Sequence, residues 1–408
     1  MHVLTMKLNA LQVLAISCFG VAMGVWLKRK LPVLDRVNLP ASIVGGLVYA
    51  VATLALRDRY LNFEMDMALR DVLMVTFFTT IGMSASLRLV RVGGMQVLYF
   101  FGVATVGAVL QNVLGIGVAR LFGLNPLMGI ISGSVALTGG PATVLAFGST
   151  FEKMGVAGAT TLGLASATFG ITAGGIFGGY IGAGLIRRHR LQSSAAAGSR
   201  RGPAGLTGEP ALATTESGGG ESEWSPALAS VIALAVAMGV GSVLSAGFQK
   251  MGLLLPAYVG AMIIAAAIRN LDDYAGFLRL RQSQIETIGN ISLYIFIVMA
   301  LLTLRLWELA RLALPMLVML FLQIALVWLM CITISYRAMG RDYESAVMAG
   351  GFCGFMLGTT ANAVACMDVL TRKHGPAPRA FLVVPLVGAF LIDFTNALII
   401  TAAINLLR

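Results

Sequence analysis

Histidine, cysteine and charge are all scarce in this chain of 408 residues. The three histidines, His2, His189 and His374, fall in the tail or in loops. That scatter excludes a zinc cluster and leaves no Ser-His-Asp set for hydrolysis. The four cysteines, Cys18, Cys331, Cys353 and Cys366, sit singly inside apolar segments, with no Cys-x-x-Cys pair. They read as small core residues rather than a redox or metal motif. Charged residues make up only 12%, and the net charge of +11 comes from Lys and Arg in short clusters between apolar runs. Such clusters fix membrane topology, so nucleic acid is not expected as a partner. What the chain has instead is 58% hydrophobic residues and a mean hydropathy of +0.86. Soluble domains run near 45–50% apolar and about 25% charged. The composition is that of an all-α integral membrane protein.

Spanning the hydrocarbon core takes about 17–25 apolar residues. The pattern predicts ten crossings, near 8–27, 40–56, 71–87, 95–119, 160–186, 226–248, 254–268, 286–304, 313–336 and 380–407. The first run is too long for a signal-peptide core and has no clear cleavage site before Lys28-Arg29-Lys30, so it counts as a span. Two further stretches, 126–150 and 344–368, are apolar but crowded with Gly, Ser, Thr and Asn. Their composition suits re-entrant hairpins better than full spans. Alternate loops then differ sharply in charge. One set carries Lys28, Arg29, Lys30, Arg187, Arg188, Arg190, Arg269, Arg337, Arg341, Arg372, Lys373 and Arg379 among others, the opposite set far fewer. By the positive-inside rule the first set is cytoplasmic and both termini are periplasmic.

Residues 191–225 lack apolar periodicity and are rich in Ser, Ala, Gly, Pro and Thr, the signature of a flexible linker, here cytoplasmic. It separates residues 1–190 from 226–408. Leu39-Pro40-Ala41 recurs as Leu255-Pro256-Ala257, Gly123 near Gly340, Gly133 near Gly350, and Gly170 near Gly388. Each half carries an odd number of crossings, five, so the second copy is expected to be inverted relative to the first. The two hairpins would then enter from opposite faces and meet near mid-membrane, the arrangement in which broken helices build a transport site. The alternative for each Gly-rich segment is a small-residue packing face.

The first hairpin contains Thr138-Gly139-Gly140-Pro141-Ala142-Thr143. Paired glycines permit a tight turn, Pro141 resists helix continuation, and a helix starting there aims unpaired N–H groups at an anion. The second hairpin offers a similar set in Gly358-Thr359-Thr360-Ala361-Asn362. Thr138, Gly139, Gly140, Thr143, Gly358, Thr359, Thr360 and Asn362 are therefore the candidate substrate residues. In the last span Asp393 and Asn396 lie three apart and share a helix face. A carboxylate at that depth costs roughly 2.5–3.5 kcal/mol, so it is expected to face a cavity, a partner or an ion. Asp393 and Asn396 are candidate cation ligands, and Thr79 and Asn290, at matching places in the two halves, are candidates to join them. The competing reading is that membrane Ser and Thr hydroxyls bond back to their own helix.

Beyond single motifs, the chain resembles the bacterial sodium/glutamate symporter family over nearly its whole length outside the linker. The similarity rests on Leu69-Arg70-Asp71, Phe77-Phe78-Thr79-Thr80-Ile81-Gly82, Gln111-Asn112-Val113-Leu114-Gly115-Ile116-Gly117, Ala167-Thr168-Phe169-Gly170, Leu306-Trp307-Glu308-Leu309-Ala310 and Val383-Val384-Pro385-Leu386-Val387-Gly388-Ala389-Phe390. Asp393, Asn396 and Ala397 continue the last match. The resemblance implies an inner-membrane homodimer whose core domain carries both hairpins and moves substrate by an elevator-like motion. It also implies a sodium gradient as driving force, sodium as coupling ion and no organic cofactor. The hairpins depart from the family pattern. Gly-Gly-His-Gly-Thr is replaced by Gly139-Gly140-Pro141-Ala142-Thr143, Met356 and Ala361 stand where Gly and Pro are usual, and Phe352 where His is common.

The expected function is sodium-coupled uptake of glutamate or a related anionic amino acid or small carboxylate, with lipid as solvent. A passive channel for ions or small solutes is the rival, distinguished by its inability to accumulate solute. A membrane-embedded enzyme is a weaker third reading, because no base–nucleophile constellation is visible.

Overall fold

A computed structural model describes residues 4–31, 34, 40–56, 61–193, 226–250, 257–276, 278, 280–304 and 313–407. Most of the linker, the 306–310 motif and Leu255-Pro256 lie outside the described residues. The chain opens with a strand, β1 (Leu4–Leu8), followed by helices α1 (Ala10–Lys30) and α2 (Ala41–Leu56). Strand β2 (Leu61–Met65) leads to α3 (Ala68–Met83), α4 (Leu87–Leu121), α5 (Pro126–Ile130), α6 (Gly140–Lys153) and α7 (Ala159–Arg188). After the linker come α8 (Pro226–Lys250), α9 (Ala257–Ala275), α10 (Gln282–Leu302) and α11 (Ala313–Met330). The chain ends with α12 (Tyr343–Met356), α13 (Thr360–His374), α14 (Pro378–Leu386) and α15 (Ile392–Leu407).

Helix dominates because in lipid every backbone N–H and C=O must be satisfied within its own segment. Among the described residues six helices are long and apolar enough to cross a membrane: Ala10–Lys30, Gly94–Leu121, Ala159–Arg188, Ala227–Lys250, Gln282–Leu302 and Leu314–Ala338. The chain is a multi-pass membrane protein. One feature departs from all-α: β1 and β2 pair in parallel, with Met6 opposite Phe63 and Lys7 opposite Glu64. This ribbon lies before α1 and before α3, outside the apolar runs. Lys7 and Glu64 form an exposed ion pair at 3.2 Å, while Leu8 is buried against Met65, Met299 and Leu302.

By packing, the helices fall into two groups. The first contains α1, α2, α3, α8, α9 and α10, which pack extensively on one another. The second contains α4 to α7 and α11 to α15; across the boundary the backbones approach closely at few points, and the groups meet through apolar side chains such as Tyr258 against Phe147. Within the second group α7 is the post against which both hairpins rest. Gly170, Gly174, Gly178 and Gly182, each four apart, lie on one face of it. A Cβ at Gly178 would stand 2.7 Å from the Gly350 carbonyl oxygen, and one at Gly174 3.2 Å from that of Gly354. Small residues let membrane helices approach this closely. Gly178→Val should therefore lower stability by about 1–3 kcal/mol through overpacking. Thermal melting in detergent would read it, and an unchanged midpoint would deny close α7–α12 contact.

The base of the second hairpin is fastened at its entrance. Asp342 caps α12 by accepting from the Ser345 N–H at 2.8 Å and the Ser345 hydroxyl at 2.6 Å, and it receives Arg379 Nη2 at 2.6 Å. The Tyr343 hydroxyl donates to the Gly375 carbonyl, and Ser193 to that of Pro376 at 2.7 Å. Partial burial works against the Asp342 carboxylate, but the Ser345 bonds and the Arg379 charge outweigh it and hold its pKa below the usual value. A carboxyl depressed by folding contributes stability above its unfolded pKa, and that contribution is lost as pH falls through the folded value. Acidification below about pH 4 should therefore melt wild type earlier while affecting Asp342→Asn less. Equal acid sensitivity of the two would count against the clamp.

Candidate functional site

Both hairpins are helix–break–helix units whose local sequences set the breaks. In the first, α5 starts at the Asn125 cap, whose side chain accepts from Leu127 N–H, and runs into a wide turn over Ile131–Val135. Gly140 adopts φ +68°, which favours glycine, and Pro141 follows it in the first turn of α6. Thr143 Oγ1 donates to the Gly139 carbonyl at 2.8 Å, leaving the first-turn N–H groups of α6 without a side-chain cap. In the second, α12 ends at Met356 and α13 restarts at Thr360, capped by Thr359, whose hydroxyl accepts from Asn362 N–H at 3.4 Å.

The two breaks face a cavity of about 630 Å³ between the two helix groups. Within the size range of small-ligand sites, it collects eight of the expected residues: Thr138, Gly139, Gly358, Thr359, Thr360, Asn362, Asn290 and Asp393. Gly140 lies just behind the lining; a Cβ there would be 3.5 Å from Thr359 Cγ2. Thr143 is buried beneath Gly139. Thr79 is buried outside the lining and its hydroxyl donates to the Val75 carbonyl at 2.6 Å, as Thr76 does to Val72 and Thr80 to Phe77. Asn396 does not reach the cavity either. It turns to the first hairpin, where Nδ2 donates to the Ser134 carbonyl at 3.0 Å. Asp393 and Asn396 thus serve different surroundings from one helix.

The Asp393 carboxylate is half-buried on the cavity wall, and no described residue gives it a hydrogen bond or an ion pair. A carboxylate left without a protein partner at such a site calls for a cation from outside the chain. On the same cavity wall Asn290, Thr138, Thr359 and Thr360 add amide and hydroxyl oxygens. These are hard oxygens of the type alkali ions accept, so the donors present fit a sodium ion in chemistry.

Four contributors were not among the expected site residues. Lys28 lines the cavity although its position in a basic cluster marked it only as a topology determinant. Gln111, wholly buried in α4, bridges the two breaks: Nε2 donates to the Met356 carbonyl at 2.8 Å and Oε1 accepts from Thr138 Oγ1 at 2.6 Å. Gln323 Nε2 in turn donates to the Gln111 carbonyl at 2.7 Å, and Asn112 Oδ1 accepts from Ser134 N–H at 3.1 Å. The signal was present in sequence, since consecutive amides inside an apolar span need buried partners. Of the altered hairpin positions, Pro141 and Ala361 line the cavity, whereas Phe352 is buried elsewhere and packs edge-on against Phe100 with centroids 5.6 Å apart.

A membrane-spanning helical bundle with two broken hairpins converging on one cavity has the architecture of a secondary transport protein. The family model of the sodium/glutamate symporters matches residues 6–376. The sodium/glutamate symporter of Escherichia coli (strain K12) is 37% identical over 399 residues, covering 96% of each chain. That of Haemophilus influenzae is 33% identical over 401 residues, covering 97% of this chain and 98% of the relative. This chain belongs to the sodium/glutamate symporter family.

Proposed function

We propose that the chain takes up glutamate, or a related anionic amino acid or small carboxylate, together with sodium across a bacterial inner membrane. The observation that carries the reading is the partnerless Asp393 carboxylate beside both hairpin breaks. An anionic substrate and Asp393 repel one another, by about 4 kcal/mol at 4 Å for an effective dielectric near 20. A sodium ion on Asp393 removes that repulsion, so each solute favours binding of the other. This is the reciprocity that symport requires. Thr138, Gly139, Gly140 and Thr143 from the first hairpin, with Gly358, Thr359, Thr360 and Asn362 from the second, form the substrate side. Lys28 and the N-termini of α6 and α13 supply positive potential. Sodium falls to Asp393 and Asn290 at the cavity, with Asn396 bracing the first hairpin and Thr79 behind it.

The order of elements supports two inverted repeats of five crossings each. Three helices, a fourth helix, a broken hairpin and a closing helical segment occur before the linker and again after it. In each repeat the first three helices join one packing group and the rest join the other. The first group is then a scaffold suited to hold a homodimer, and the second a core that slides across it, elevator fashion. A boundary with few close backbone approaches, met by apolar side chains, suits such sliding.

The described residues at the two Leu-Pro-Ala motifs have unlike surroundings. Pro40, Ala41 and Ser42 line the cavity beside Lys28, on the side whose loops carry most of the Lys and Arg. Tyr258, next to the second motif, is buried, stacks on Phe78 at 4.2 Å and meets Phe147 edge-on at 5.7 Å. This asymmetry favours a state open to the cytoplasm and sealed toward the periplasm. The test is uptake of labelled glutamate, aspartate and dicarboxylates into proteoliposomes. Accumulation above equilibrium only with an inward sodium gradient is expected. Equilibration without accumulation would favour a channel.

A further inference from the structure

Away from the hairpin cavity, α7 and α11 leave between them a groove of about 290 Å³. Phe177, Tyr180, Gly184 and Arg188 line it from α7, and Trp328 and Ile332 from α11. Phe177, Tyr180 and Trp328 are 41%, 71% and 50% exposed, far more than aromatic rings packed in a protein interior. The groove has a definite depth. From Phe177 to Arg188 the helix rises roughly 16 Å at about 1.5 Å per residue, close to half of the ~30 Å hydrocarbon core. It therefore runs the depth of one leaflet, apolar and aromatic within and cationic at its mouth.

Arg188 is exposed, and no described residue gives it a hydrogen bond or an ion pair. The next residue, His189, stacks on Tyr336 with ring centroids 5.3 Å apart, which ties the basic end of α7 to the helical extension of α11. The arginine is thus held at the end of the groove.

We infer that this groove binds one anionic phospholipid of the arginine-rich leaflet, with its headgroup on Arg188 and one acyl chain along Phe177, Tyr180 and Trp328. Charge complementarity selects this occupant. A basic site at the membrane surface favours anionic headgroups, and a zwitterionic lipid fills the apolar part equally but gains less at the mouth. A second copy of the chain would bury the guanidinium, and the groove itself offers no carboxylate to pair with it.

The test is native mass spectrometry of the full-length, detergent-purified protein after exchange with equal amounts of phosphatidylglycerol and phosphatidylcholine of matched chains. Phosphatidylglycerol is expected to be retained about fivefold over phosphatidylcholine, the preference of one arginine near the surface. Arg188→Gln should bring that ratio near one while total bound lipid persists. Gly184→Phe should lower retention of both lipids, since a Cβ at Gly184 meets no atom within 4 Å and the ring can enter the groove without displacing the helices. Thermal melting of each variant before exchange confirms that it is folded. Equal retention of the two lipids by wild type, or a wild-type ratio in Arg188→Gln, overturns the inference. So does a loss of oligomer in Gly184→Phe with the lipid ratio unchanged, which would place a second copy in the groove. The readout is lipid retention, so the inference stands or falls independently of substrate and coupling ion.

Discussion

Asp393→Asn is expected to abolish sodium-driven accumulation of glutamate in reconstituted vesicles while leaving the protein folded. Asn fills the same space but carries no charge, so it neither repels an anionic substrate nor attracts sodium strongly. Two consequences separate this account from a structural role for Asp393. In wild type, saturating sodium should tighten glutamate binding about 5–150-fold, the range for a coupling of about 1–3 kcal/mol. In the variant the same titration should give a factor near one. Loss of a structural hydrogen bond would instead lower the melting temperature and weaken binding with and without sodium alike. Calorimetric titration of glutamate at two sodium concentrations distinguishes the outcomes.

Gln111→Leu is expected to have the second largest effect. Gln111 is the only residue, among the described side chains, whose amide bonds both hairpin breaks at once, through Thr138 and the Met356 carbonyl. Leucine removes both bonds in the interior and leaves the Met356 carbonyl without this partner, and each such buried unmade bond costs about 1–3 kcal/mol. Stability should fall, and because the two tips lose register, KM for the substrate should rise more than kcat falls. Val113→Leu, at a position of the same helix that is 60% exposed, should change neither quantity. A Gln111→Leu protein with wild-type KM would show that the bridge does not position the site.

How much of this was legible in the sequence depends on the kind of signal. The long apolar runs and the two Gly-rich, hydroxyl-rich segments announced themselves, because lipid forces apolar helices and glycine-proline pairs interrupt them. The breaks at Gly139-Gly140 and at Gly358-Thr359 fall within the expected hairpins, and Asp393 reaches the cavity they form. The membership of α7 as a glycine-faced post was less visible, since Gly170 to Gly182 read equally well as any small-residue span. Lys28 was hidden by its neighbours, for a lysine in a basic cluster carries no mark of pointing into a cavity. Asn396 shared a helix face with Asp393 but turned to Ser134, as spacing fixes direction on one helix and not the distance to another. Gln111 was legible in principle, as an amide inside an apolar run, but its partners come from segments far away in sequence.

The most direct test of a shared substrate and ion site at the hairpin breaks is chemical protection of one position within it. Ala361 is exposed and lines the cavity beside Thr360 and Asn362. Cys18 is the exposed native cysteine and would be changed to Ser, while Cys331, Cys353 and Cys366 are buried. An Ala361→Cys protein in vesicles should react with a membrane-impermeant thiol reagent from the cytoplasmic side, and sodium with glutamate together should slow that reaction far more than either alone. Labelling that proceeds at the same rate with both solutes present would contradict a substrate site between the two hairpins.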